Sequence, residues 1–126
     1  MLTIKDYCDY DTCVALKELG YVGICDAYYE LTGSEDYNRD SFGLSYTRDF
    51  IHPDDIDRVA APLLYQAQKW LREEKGIIVG IINNFTIRAF DWYVSTWEED
   101  LCRGDKYVSY EEALAEGIKE ALNTLK

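Results

Sequence analysis

The side chains best equipped for chemistry in this chain are few, and they do not converge. His52, its one histidine, stands beside Asp54 and Asp55. At that spacing a carboxylate could hold one imidazole tautomer and raise its basicity for general-base work. No nucleophile accompanies them, so Pro53-Asp54-Asp55 reads instead as a turn or helix start whose aspartates answer exposed amides. Cys8 and Cys13 lie five apart near the start of an expected helix, where amide dipoles can lower a thiol pKa. The surrounding acids push the other way, and Cys13 reads as a small core residue. No cysteine pair has C-x-x-C spacing, and the six-ligand calcium loop around a central glycine is absent. The expectation is therefore no catalytic residue, no metal site and no cofactor.

What remains is surface chemistry. Eleven tyrosines and three tryptophans accompany 24 acids, and such rings suit a surface that must be apolar and hydrogen-bonding together. Tyr7, Asp9, Tyr10, Asp11, Asp36, Tyr37 and Asp40 mark out an expected acidic, tyrosine-rich protein-binding face, to which Tyr28 and Tyr46 could add. Residues 1 to 60 hold 13 acids against 5 bases, whereas residues 61 to 126 hold 11 against 8. Most of the negative field thus belongs to the first half. A formal charge of −11 repels phosphate backbones and leaves no cationic excess to displace counterions, which argues against direct nucleic-acid binding. Mimicry of nucleic acid toward a basic protein partner is one form the binding could take.

A chain of 126 residues with 48% apolar side chains can bury a core of its own. With no repeat and no linker-like tract, one domain spanning 1–126 is expected. The longest apolar run, Ile77 to Ile82, falls far short of the roughly 20 residues that span a bilayer, and Lys5 and Asp6 precede no apolar signal stretch. No membrane association and a cytoplasmic location are expected, with Cys8, Cys13, Cys25 and Cys102 as free thiols.

The elements that must position these groups follow from periodicity. A first helix starts at Asp9 or Asp11 and stops at Gly20. Ile24 to Leu31 alternates, with Cys25, Ala27, Tyr29 and Leu31 on one side, and Phe42 to Thr47 gives it a hairpin partner. Pro62 fits the first turn of a helix carrying Leu63, Ala67, Trp70 and Leu71 and ending at Gly76. Ile77 to Ile82 reads as a buried strand turning at Asn83-Asn84 into a return strand from Phe85 to Trp97, with a bulge near Ala89 to reconcile two pleat phases. Glu98 to Lys106 reads as a charged loop. Ser109 and Glu112 form a capping box ahead of the stripe Leu114, Gly117, Ile118, Ala121, Leu122 and Leu125. The result is an α+β fold of order α-β-β-α-β-β-α, a mostly antiparallel sheet covered by amphipathic helices.

Two resemblances accompany this reading. Tyr29-Glu30-Leu31-Thr32-Gly33, then Asp49-Phe50-Ile51-His52-Pro53-Asp54-Asp55 and Arg58-Val59, resemble the central part of PAS sensory domains, which implies a small-molecule sensor or dimerising module. Across nearly the whole chain, Leu16-Lys17-Glu18-Leu19-Gly20-Tyr21, Tyr28-Tyr29, Ala61-Pro62, Lys69-Trp70-Leu71-Arg72-Glu73-Glu74-Lys75-Gly76-Ile77 and Tyr110-Glu111-Glu112-Ala113-Leu114-Ala115-Glu116-Gly117-Ile118 resemble a family of small uncharacterised proteins of gut Bacteroidales and their phages. That second resemblance implies an intracellular or phage-associated setting and carries no reaction. The expected function is a non-enzymatic accessory or protein-interaction protein. The PAS-like sensor is the alternative, to be told apart by an enclosed pocket beneath the sheet.

Overall fold

A computed structural model of the chain describes residues 4–22, 24–30, 44–51, 54–55 and 58–125. The class is α+β, in the order α1 (Tyr10–Glu18), β1 (Ile24–Glu30), β2 (Leu44–Phe50), β3 (Arg58–Ala60), α2 (Leu64–Lys75), β4 (Ile78–Asn84), β5 (Ala89–Ser95), β6 (Asp100–Tyr107) and α3 (Tyr110–Thr124). The strands form two three-stranded antiparallel sheets, ordered β2-β1-β3 and β4-β5-β6. The chain divides into two compact units, Met1–Leu63 and Leu64–Lys126.

In the first unit, α1 begins where its cap is strongest. The Asp9 side chain accepts from the Thr12 amide at 2.9 Å, answering one of the donors that a helix start leaves open. The helix ends in a Schellman arrangement: Gly20 takes φ +89°, its amide donates to the Lys17 carbonyl at 3.0 Å, and the Tyr21 amide donates to the Leu16 carbonyl at 2.9 Å. β1 alternates as its sequence requires, with Cys25, Ala27 and Tyr29 buried while Asp26 and Glu30 are exposed. Leu31 and Phe42, expected in the two hairpin strands, lie outside the described residues. β3 is an addition to the expected order. It pairs with β1 through Tyr28↔Ala60, Tyr29↔Val59 and Glu30↔Arg58, and three residues are too few to show a period.

In the second unit, α3 covers the β4-β5-β6 sheet and α2 adjoins β4 and α3. The Ser109 hydroxyl accepts from the Glu112 amide at 3.1 Å, so the capping-box start holds. Its buried stripe of Ala113, Leu114, Gly117, Ile118, Ala121 and Leu122 meets Val79, Trp92 and Val94 among the buried residues of the sheet.

Four expectations change here. Glu98 to Lys106 is not a loop, because Asp100–Tyr107 pairs with β5. Its charges mark an edge strand, solvated on its free side. The β4–β5 reversal lies at residues 85–88, with the positive φ of 53° on Arg88, while Asn83 and Asn84 finish β4 by pairing with Phe90 and Ala89. β4 is also less buried than its apolar run implies, since Ile82 is 49% exposed. Pro62, finally, precedes α2 and accepts the Cys8 amide at 2.9 Å through its carbonyl. The expected bulge exists, but as breaks in the β5–β6 register at Phe90/Trp92 and Val94/Ser95.

Candidate functional site

The expected acidic, tyrosine-rich face is only partly a surface. Tyr7 is 7% exposed and belongs to the core, its ring edge-on to Tyr46 at 5.8 Å. It leaves the set because the bridge between Tyr7 and Leu63 holds this segment in the first unit's interior. Asp9 is occupied as the α1 cap, and the Tyr10 ring stands against Tyr29 at 5.7 Å. Asp11 is exposed. Asp36, Tyr37 and Asp40 lie outside the described residues, as does His52. Asp54 is exposed. Asp55 Oδ1 accepts from the Arg58 amide at 2.9 Å and Oδ2 from the Arg58 guanidinium at 3.2 Å, so this carboxylate fixes the entry to β3.

The thiols of the first unit sit in a buried cluster. Cys8, Cys13 and Cys25 are all at most 1% exposed. Cys13 donates to the Cys8 carbonyl at 3.5 Å, the same oxygen accepts from the Tyr29 hydroxyl at 3.2 Å, and the Tyr21 hydroxyl lies 4.0 Å from Cys25 Sγ. Burial pushes the Cys13 thiol well above its ordinary range, helped by its hydrogen bond to Cys8. It also lifts Cys25 to about 11, against a lowering by the Tyr21 hydrogen bond. A thiol so placed stays neutral at pH 7 and reacts poorly. The helix-start dipole that could have activated Cys13 is outweighed by desolvation.

A group of exposed apolar side chains gathers in the second unit. Phe85 is 83% exposed, Ile87 49%, Val108 79% and Tyr110 44%. The register brings them to one end of the sheet: Asn84↔Ala89 closes the β4–β5 reversal that carries Phe85 and Ile87, and Phe90↔Tyr107 sets the end of β6 and the start of α3 beside it. The Phe90 and Tyr110 rings meet edge to face at 6.0 Å. Exposed Ile82 continues this apolar rim along β4. A clustering of large apolar side chains in water, unlike isolated ones, is the usual mark of a docking surface. Trp97, 79% exposed, lies at the other end, in a turn held by the Glu98 and Glu99 amides donating to Thr96 Oγ1 at 3.2 and 3.1 Å.

Sequence reasoning placed Phe85 and Ile87 in a strand and passed over Val108. One signal was available: Val108 precedes the Ser109 cap, where a hydrophobic residue staples onto the fourth helical position. That position is Ala113, buried beneath the helix, and it offers Val108 little to close on.

Beside the rim, Ile82, Asp91, Trp92, Tyr93, Arg103, Gly104 and Asp105 line an open cavity of about 240 Å³. Tyr93 crosses this face where its cross-strand partner Gly80 has no side chain, and Asp91 accepts the Lys106 amide at 3.2 Å. In the first unit, the space among Cys13, Lys17, Tyr21, Ile51, Arg58, Val59 and Ala60 amounts to about 10 Å³. That volume holds little more than a water molecule. Against protein-family models, curated proteins and solved structures, the chain shows no significant match.

Proposed function

We propose that this chain is a non-enzymatic protein-binding module that docks a partner on the apolar rim of its second unit. The observation carrying this reading is the exposure of Phe85, Ile87, Val108 and Tyr110 at one end of the β4-β5-β6 sheet. The acids of the first unit add a long-range field that speeds encounter with a basic partner without supplying the anchor. Three buried thiols, and a space of only about 10 Å³ among the described residues around Cys13 and Tyr21, support binding over catalysis and over the sensor reading. Four free cysteines also support a reducing, intracellular setting.

Affinity capture from the native host supplies the partner, and its affinity for variants supplies the test. Phe85→Ser with Val108→Ser should weaken binding at least about tenfold, the loss of a central apolar anchor pair, while the melting temperature stays unchanged. Equal affinity for wild type and variant would remove the rim from the account.

A further inference from the structure

The two edges of the second sheet are finished differently. At β4, the Gln68 side chain of α2 donates to the Val79 carbonyl at 2.7 Å and occupies that edge. β6 lies at the opposite edge, hydrogen-bonded among the described residues to β5 alone. Along it Asp100, Leu101, Arg103, Asp105 and Lys106 are exposed, and among the described residues neither Arg103 nor Asp105 has an ion-pair partner. An edge of this kind can accept another strand.

We infer that the occupant is β6 of a second copy of this chain, paired antiparallel about a two-fold axis through Gly104. Residues facing each other in an antiparallel ladder share a face of the sheet. A two-fold perpendicular to that sheet must therefore pass between identical residues, which leaves few registers. Centring on Arg103 opposes two guanidiniums, and centring on Asp105 opposes two carboxylates. Centring on Gly104 places Arg103 of each copy opposite Asp105 of the other, giving two ion pairs by symmetry, with glycine facing glycine between them. Of these three registers the charges favour the one centred on Gly104, the arrangement expected of an isologous interface with built-in specificity. β6 is itself neutral, with Asp100 and Asp105 against Arg103 and Lys106. The −11 of the whole chain is screened over about 8 Å at physiological salt. The register break by Lys106, whose φ is +68°, keeps the shared ladder short, so the two ion pairs decide whether it forms. This edge adjoins the apolar rim without using its anchors Phe85 and Val108, so the failure of either leaves the other standing.

Sedimentation equilibrium of the full chain at physiological salt is the test. The wild type should rise with concentration toward twice the monomer mass. Arg103→Asp and Asp105→Arg should each remain monomeric with melting temperatures unchanged, because each opposes like charges twice. An equimolar mixture of the two variants should regain the dimer, since each then supplies the other's complement. A wild type that stays monomeric at millimolar concentration, or variants that dimerise alone as well as the wild type does, would overturn the inference. So would folded variants that fail to associate when mixed.

Discussion

Among the described residues, the first unit buries its thiols, while the second leaves a group of large apolar side chains exposed at one end of its sheet. Met1–Leu63 carries three buried cysteines and two buried tyrosine hydroxyls that hydrogen-bond inside the core, and its charges take structural roles at the α1 cap and the β3 entry. Leu64–Lys126 has the weaker charge imbalance, yet it leaves Phe85, Ile87, Trp97 and Val108 in water. Reactive residue types are thus a poor guide to a working surface. A cysteine or tyrosine can satisfy its polar atom locally and be buried, whereas an exposed phenylalanine cannot.

The largest expected effect sharpens the contrast between core and rim. Ile118, fully buried on the inner face of α3, should cost about 2–5 kcal/mol on replacement by alanine, read from urea unfolding. Phe85→Ser should fall within about 0.5 kcal/mol of wild type. Equal losses at the two positions would place Phe85 in the core and dissolve the rim.

Next comes Gly104. A methyl group there would overlap the Trp92 indole at Nε1, so Gly104→Ala should cost about 1–3 kcal/mol by overpacking. Trp92 Nε1 is buried and, among the described residues, without a hydrogen-bond partner. Trp92→Phe removes that stranded donor together with the clashing atoms, and in its background the Gly104→Ala cost should shrink. A double-mutant cycle with no coupling would contradict the geometry.

A smaller change separates the acids that fold the first unit from those that face solvent. Asp9→Ala should cost about 1 kcal/mol by uncapping α1, and Asp11→Ala about 0.5 kcal/mol or less, both by thermal or urea unfolding. Matching losses would mean that the cap geometry is wrong.

The thiols give a pH signature. Burial raises Cys25 to about 11 and raises Cys13 as well, so folding favours their neutral forms. That stability is complete below the unfolded pKa and is lost as pH climbs through the folded one. Urea midpoints should decline from about pH 9 toward 11, less steeply in Cys25→Ala, and thiol-reactive dye at pH 8 should label Cys8, Cys13 and Cys25 only on unfolding. Rapid labelling of those three in the native chain would break the contrast between the units.

Much of this architecture was legible in the chain. Asp9 and Gly20 bracket α1, Ser109 and Glu112 open α3, and the alternation of Cys25, Ala27 and Tyr29 exposes β1, because caps and pleats are local physics. β3 escaped because Arg58–Ala60 is shorter than any period, and β6 because an edge strand solvates charges on its free side and so resembles a loop. The reversal was misplaced from residues 85–88 to Asn83-Asn84 because the positive φ falls on Arg88, a residue type that rarely takes it. Tyr7 misled for a different reason: a phenol suits a wet surface and a satisfied interior equally, and only the tertiary bridge to Leu63 decides. The rim was invisible because exposure is a property of what fails to cover a residue.

The central claim, that the second unit's rim and not the first unit's acids anchors the partner, is tested most directly by one affinity series. The partner captured from the native host would be titrated against wild type, against Phe85→Ser with Val108→Ser, and against a charge reversal at Asp11, Asp36 and Asp40. The account predicts at least about a tenfold loss for the rim variant, and for the charge variant a slower, salt-dependent association with little change in dissociation rate. Full affinity in the rim variant together with lost binding in the charge variant would contradict it.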